Sequence, residues 1–144
     1  MENKLVFEEI REIQNQILKK FDQYCTIKGY QYCLWAGTLL GAIRHKGHIP
    51  WDDDVDIAMP RSDYERLLSD FKNNPIDGVR LVSFKSCKNY YYPFAKLSDN
   101  CSQMKEKNIK QQDYGVFVDV FPLDTIQQTT SAGKIAIKKC RFAF

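Results

Sequence analysis

No stretch of this sequence is apolar for long enough to span a membrane, and no signal-peptide pattern opens it. The expectation is a soluble cytoplasmic protein with no integral membrane segment, at work in solution or at the inner face of the membrane. Runs of Lys and Arg are absent too, and the net charge is only +3. That is too mild a field to imply nucleic acid. No C-x-x-C pair exists, and the five cysteines are scattered and odd in number. That pattern argues against structural zinc and a disulfide framework, and reduced, buried thiols are the better reading. The Asn100-Cys101-Ser102 sequon would be silent in the cytoplasm. His45 and His48 are the only histidines, too few for a zinc centre without cysteine partners. There are no internal repeats, low-complexity tracts or linkers. With 44% hydrophobic residues in 144, one domain over residues 1–144 with a real core is expected. Its uncapped end, Arg141-Phe142-Ala143-Phe144, reads as that of a fragment or a naturally short form.

What is present concentrates between Trp35 and Arg61. Asp52, Asp53, Asp54 and Asp56 put four carboxylates within five residues. Such a cluster repels itself, so a stable fold keeps it on an open surface or around a cation. Asp54-Val55-Asp56-Ile57 alternates polar with apolar. On a strand this sends Asp54 and Asp56 to one face and Val55 and Ile57 to the core. Paired oxygen ligands on a rigid element suit Mg²⁺ or Mn²⁺. Upstream, Gly37-Thr38 reads as a turn where backbone comes close to a phosphate and donates N–H groups to it. Arg44, Lys46 and His48 lie between the two. A calcium loop starting at Asp52 would need Gly and Glu where Ile57 and Asp63 stand, and no Gly-Lys-Ser/Thr follows the glycines as a P-loop demands.

A glycine turn followed by an Asp-x-Asp strand resembles the core of the nucleotidyltransferase superfamily. The run from Trp35 to Ile57, W-A-G-T-L-L-G-A-I-R-H-K-G-H-I-P-W-D-D-D-V-D-I, is similar almost throughout to the signature of one branch, the LicD family. Val118-Asp119-Val120-Phe121-Pro122-Leu123-Asp124 resembles that family's V-D-x-F-P-L-D segment. The resemblance implies a phosphotransferase of the phosphocholine-transferase type. It would take a CDP-linked donor (CDP-choline-like) and a hydroxyl of a cell-surface glycan or teichoic acid. It also implies two metal ions held by Asp54, Asp56 and Asp119, and contact of His48 with the donor's phosphates. The alternatives are a non-catalytic nucleotide- or metal-binding module, and an enzyme that moves the nucleotide itself onto a small molecule or protein.

In chain order, Val6, Ile10, Ile13, Ile17, Phe21 and Tyr24 recur at helical spacing over 4–28, with Gly29 as the C-terminal glycine. A strand is expected over 30–36, a short helix over 38–45, a loop over 46–51 and a second strand continuing over 55–59. The helix N-terminus near Gly37 suits an anion. Ser62 and Glu65 have capping-box spacing, opening a helix to about Lys72. Strands follow at 79–85, 90–97, a short one at 102–107, and 116–122; a basic-apolar helix closes the chain at 134–142. The fold class is α+β, a mixed β-sheet flanked by helices.

Asp119 is the one acid in an apolar run. It is either a buried, satisfied group or a ligand, and the cost of an unpaired buried carboxylate favours the ligand. Arg44 serves equally as a phosphate clamp or as a partner to the aspartates. Tyr90, Tyr91 and Tyr92 are better read as alternating strand residues than as a base-stacking platform. Asp124 reads as a turn or helix cap rather than a ligand.

Overall fold

The computed structural model describes residues 6–88, 90–104, 114–126 and 131. Eight elements run in order: α1 (Phe7–Lys28), β1 (Cys33–Leu34), α2 (Ala36–Arg44), β2 (Asp56–Pro60), α3 (Arg61–Asp70), β3 (Val79–Val82), β4 (Ala95–Asp99) and β5 (Phe117–Leu123). The strands form one mixed sheet in the order β1-β2-β5-β4-β3. Among the described strands, only β2 and β5 pair in parallel.

The periodicity of α1 buries Ile17, Phe21 and Cys25. The Glu9 side chain accepts from the Val6 N–H at 2.9 Å and so holds the first turn. Gly29 ends the helix in the left-handed region at φ 67°, where a side chain would be strained. α1 and α3 lay their apolar stripes on one sheet face, against Ile57, Met59, Ala95, Leu97, Val118 and Val120. Burial alternates less on β2 than in a one-faced strand, since Ala58 is buried as well as its two neighbours. That is the mark of a central strand.

Several expectations move. The first strand shrinks to two residues. α2 begins at Ala36, whose φ of 45° makes the sharp entry, so Gly37 and Thr38 lie in its first turn rather than before it. Ser62 caps nothing: α3 starts from Pro60 with no side-chain cap, and Ser62 is exposed. The buried first-turn acid Asp63 accepts instead from the Gln31 N–H at 2.9 Å and pairs with Arg66 at 3.1 Å. Tyr90–Tyr92 are not a strand, although burial does alternate there, Tyr90 inside and Tyr91 exposed. β4 begins only at Ala95. Of the strand expected over 102–107, Met104 makes a single bridge to Tyr114; the remainder, from 105 on, and the helix at 134–142 lie outside the described residues.

Candidate active site

The sheet register builds the site. Asp56 on β2 is directly opposite Asp119 on β5, and Asp119 is directly opposite Lys96 on β4. Residues opposite one another share a face. The three therefore form one row, on the face away from α1 and α3. The Trp35 N–H donates to the Asp56 carbonyl at 3.0 Å, which brings the start of α2 to the same row. Thr38 Oγ1 accepts from the Asp56 N–H at 2.8 Å. Asp54 leads into β2 rather than lying on it, and is exposed while Val55 is buried. The Asp119 N–H donates to the Val55 carbonyl at 2.9 Å, so the ladder already holds this lead-in.

The loop before β2 is fastened from α1. One Arg11 guanidinium nitrogen donates to the carbonyls of Ile49, Pro50 and Asp52, at 2.6, 2.9 and 3.2 Å. Gln14, buried, donates to the Asp53 carbonyl at 2.9 Å. These bonds present Asp52, Asp53 and Asp54 together: among the described residues, they alone bring three possible metal-ligand atoms within 4.8 Å of one another. The Asp52 carboxylate sits directly over Gly37, where any Cβ would collide with it. An acid therefore occupies the position over the first turn of α2 that favours negative charge.

The electrostatics follow from this crowding. Burial and the charges of Asp54, Asp119 and Asp52 push the Asp56 carboxyl up to about 7, against a smaller opposing effect of Lys96. Asp54 is raised by burial and by the charge and hydrogen bond of Asp52. A carboxylate cluster that holds its protons this tightly gains from a cation. Its all-oxygen donors are of the kind that Mg²⁺ and Mn²⁺ take; among the described residues it is Asp52, Asp53 and Asp54, and not Asp54, Asp56 and Asp119, whose oxygens lie within 4.8 Å of one another.

Asp119 is buried, but not for want of a partner. Lys96 Nζ donates to its Oδ1 at 2.7 Å, and the lysine is itself only 2% exposed. Its ammonium lies 3.4 Å from the centre of the Phe117 ring, with Tyr92, Phe94 and Tyr114 farther round it. Asp119 is therefore not an unpaired buried carboxylate, and what makes it a candidate ligand is its place in the row. Sequence reasoning missed Lys96. The signal was there: a lone Lys in the run Ala95-Lys96-Leu97 answers the lone Asp in Val118-Asp119-Val120.

The other expected residues divide. His48 is half-buried and bonded to the Asn15 Oδ1 at 2.9 Å. Burial and the nearby Arg11 charge lower its pKa, against the opposing charge of Asp52, and so favour the uncharged ring. With Asn15, Gly37, Thr38, Asp52 and Asp54 it lines a small cavity of about 130 Å³. Arg44 stands at the far end of α2; its Nε reaches His45 Nδ1 at 3.5 Å, and among the described residues it forms no ion pair with the aspartates. Asp124 pairs with Arg61 through both oxygens at 2.7 Å.

A family model described as LicD/FKTN/FKRP, nucleotidyltransferase domain, matches residues 29–143. The chain is 32% identical over 124 residues to the lipopolysaccharide cholinephosphotransferase LicD of Haemophilus influenzae, a stretch covering 85% of this chain and 46% of that protein. Uncharacterized proteins of Rickettsia typhi and Rickettsia prowazekii are 40% and 44% identical over 60 residues, covering 40% of this chain and 19% and 23% of theirs. The chain thus spans less than half the length of these relatives.

Proposed function

Because the chain belongs to the LicD family of nucleotidyltransferase domains, we propose that it is a metal-dependent transferase acting on a CDP-linked donor. It moves a phospho-head-group of the phosphocholine type to a hydroxyl of a cell-surface glycan, either lipopolysaccharide or teichoic acid. The observation that carries this reading is the row itself: Asp56 and Asp119 opposite one another, with Asp54 at the entrance to β2. The relative from Haemophilus influenzae, named as a lipopolysaccharide cholinephosphotransferase, supports the head group and the acceptor class.

In this reading Asp54, Asp56 and Asp119 hold Mg²⁺ or Mn²⁺. The bound ion would supply Lewis-acid stabilisation of the charge that develops on the transferring phosphoryl group. The chain does the rest. Gly37 and Thr38, in the first turn of α2, are the phosphate-facing residues of this reading, and the Asp52 carboxylate that sits over Gly37 must give way for their N–H groups to meet the donor's diphosphate. Thr38 also ties the turn to β2, so the phosphate cradle and the carboxylates move as one body. His48, held by Asn15, contributes a hydrogen bond. Arg44, one to two helical turns away, reaches the outer part of the donor or acceptor. A carboxylate of the row takes the acceptor's proton. The protein acts in the cytoplasm, where CDP-linked donors are found, in solution or at the inner face of the membrane.

The test is to incubate the protein with Mg²⁺ and a panel of CDP-linked donors and to follow CMP release. The proposal expects one donor to be hydrolysed or turned over, and only with metal. A donor that binds but never releases CMP, with any acceptor, would favour a binding module. Attachment of CMP to an acceptor would favour nucleotidyl transfer.

A further inference from the structure

We propose that the outer face of α2 is a membrane-docking surface, which seats the protein on a bilayer containing anionic phospholipid. The inference goes beyond the transfer reaction, and it is tested without a donor.

α2 turns its small residues inward and its large apolar residues outward. Gly41 is buried, and Gly37, Thr38 and Ala42 are partly so, whereas Leu39, Leu40 and Ile43 are exposed. At about 3.6 residues per turn, those three share one side of the helix. The two tryptophans of the chain flank them. Trp35 precedes the helix, and Trp51 stands edge-on to His45 at its end, with ring centroids 6.2 Å apart. Ile43 is 65% exposed and Trp51 76%. These five residues are half of the ten large apolar side chains exposed among the described residues. Single exposed apolar residues are ordinary, but a concentrated patch marks an interaction surface.

The charge around the patch selects what covers it. α2 contains no acid, and its end is cationic: Arg44 and Lys46 are exposed, and neither forms an ion pair among the described residues. The Asp52 carboxylate sits over Gly37, on the side of the helix away from Leu39 and Ile43. Aliphatic side chains between two indoles, with Arg and Lys at the rim, suit a bilayer interface. The indoles sit at headgroup level, and the cations meet lipid phosphates. A docked α2 also holds Gly37 and Thr38, and with them the carboxylate row, close to the membrane surface.

The tryptophans report on the patch directly. The 144-residue protein is mixed with vesicles of phosphatidylcholine containing phosphatidylglycerol, and cosedimentation and tryptophan emission are followed. Binding, a blue shift and quenching by brominated lipid are expected, all weakened by high salt or by omission of phosphatidylglycerol. Ile43→Glu, at an exposed position, should melt as the wild type does and bind about tenfold more weakly. A wild type that does not bind the vesicles overturns the inference. So does binding with neither shift nor quenching, which would put another face on the lipid. Both outcomes are read on the wild type alone, whatever the stability of the variant. A folded Ile43→Glu that binds as the wild type does overturns it too. A blue shift that grows with protein concentration in the absence of lipid would give the face to a second copy of the chain and contradict the bilayer.

Discussion

At the scale of single residues, charge crowding makes two predictions. Asp56 titrates near 7 in the folded chain, against 3.8 as its ordinary value. Its native pKa is the higher one, so the native state binds the proton more tightly and ionisation costs stability. That stability is fully present below the unfolded pKa and is lost as pH rises through about 7. Asp54, raised in the same direction, adds to the trend. Glu65 and Asp124 run the other way, but their pKa values are lowered from ordinary carboxylate values, so they matter only at acid pH; His48, lowered from 6.5, also opposes the trend, in the lower part of the window, where the two raised carboxyls outweigh one ring. Between pH 5.5 and 8 the metal-free protein should therefore become easier to denature with urea, and Mg²⁺ should bind more weakly at 5.5, where it competes with a proton. A flat profile across that range would mean the carboxylates do not interact. The second prediction concerns Asp119. Relief of repulsion alone would leave Asp119→Asn as stable as the wild type. The Lys96 pair predicts otherwise: the variant leaves a buried ammonium without its carboxylate, at about 3–5 kcal/mol. Urea denaturation without metal measures it. Asp119 was legible as a buried acid from its apolar neighbours. Its partner was not, because pairing across β4 and β5 depends on a register that no local pattern specifies.

At the scale of elements, the long amphipathic helix and the buried central strands were readable because their periods are strong. The edges were not. β1 keeps two residues of an expected seven-residue strand, and the apparent cap at Ser62 yields to Pro60, whose φ of −50° enters α3 directly. The Asp-x-Asp alternation correctly buried Val55 and Ile57, but β2 starts at Asp56, so Asp54 belongs to the loop. What holds that loop is Arg11, forty residues upstream and invisible to any motif. Arg11→Met keeps much of the apolar stem and removes the three bonds to carbonyls. It should cost about 2 kcal/mol and weaken Mg²⁺ binding several-fold, read by thermal melts with and without metal. Unaltered metal affinity would show that the loop holds its shape without α1. On the other side of the loop, α2 packs its buried Gly41 against the backbone of Gly47 and Ile49, so closely that a Cβ would lie 2.6 Å from the Gly47 carbonyl. Gly41→Ala must push helix and loop apart and should cost about 1–3 kcal/mol in the same melts.

At the scale of the whole molecule, one sheet face is covered by α1 and α3 and the other carries the carboxylate row beside an aromatic layer, where the Phe94 and Phe121 rings lie 4.4 Å apart, tilted at 38°. No described helix is long and apolar enough to cross a membrane. This division lets the site change without the core. Asp54 is exposed and off the strand, so its loss should leave stability within about 0.5 kcal/mol of wild type while removing one of the three carboxylates proposed to hold the ion. That separation makes one measurement the most direct test of the central claim, that the row binds a CDP-linked donor through a metal. Calorimetric titration of CDP-choline into the wild type and Asp54→Asn, each with and without Mg²⁺, should show binding only to the wild type with Mg²⁺, while both proteins melt alike. Equal affinity in the variant, or binding that ignores Mg²⁺, would contradict it.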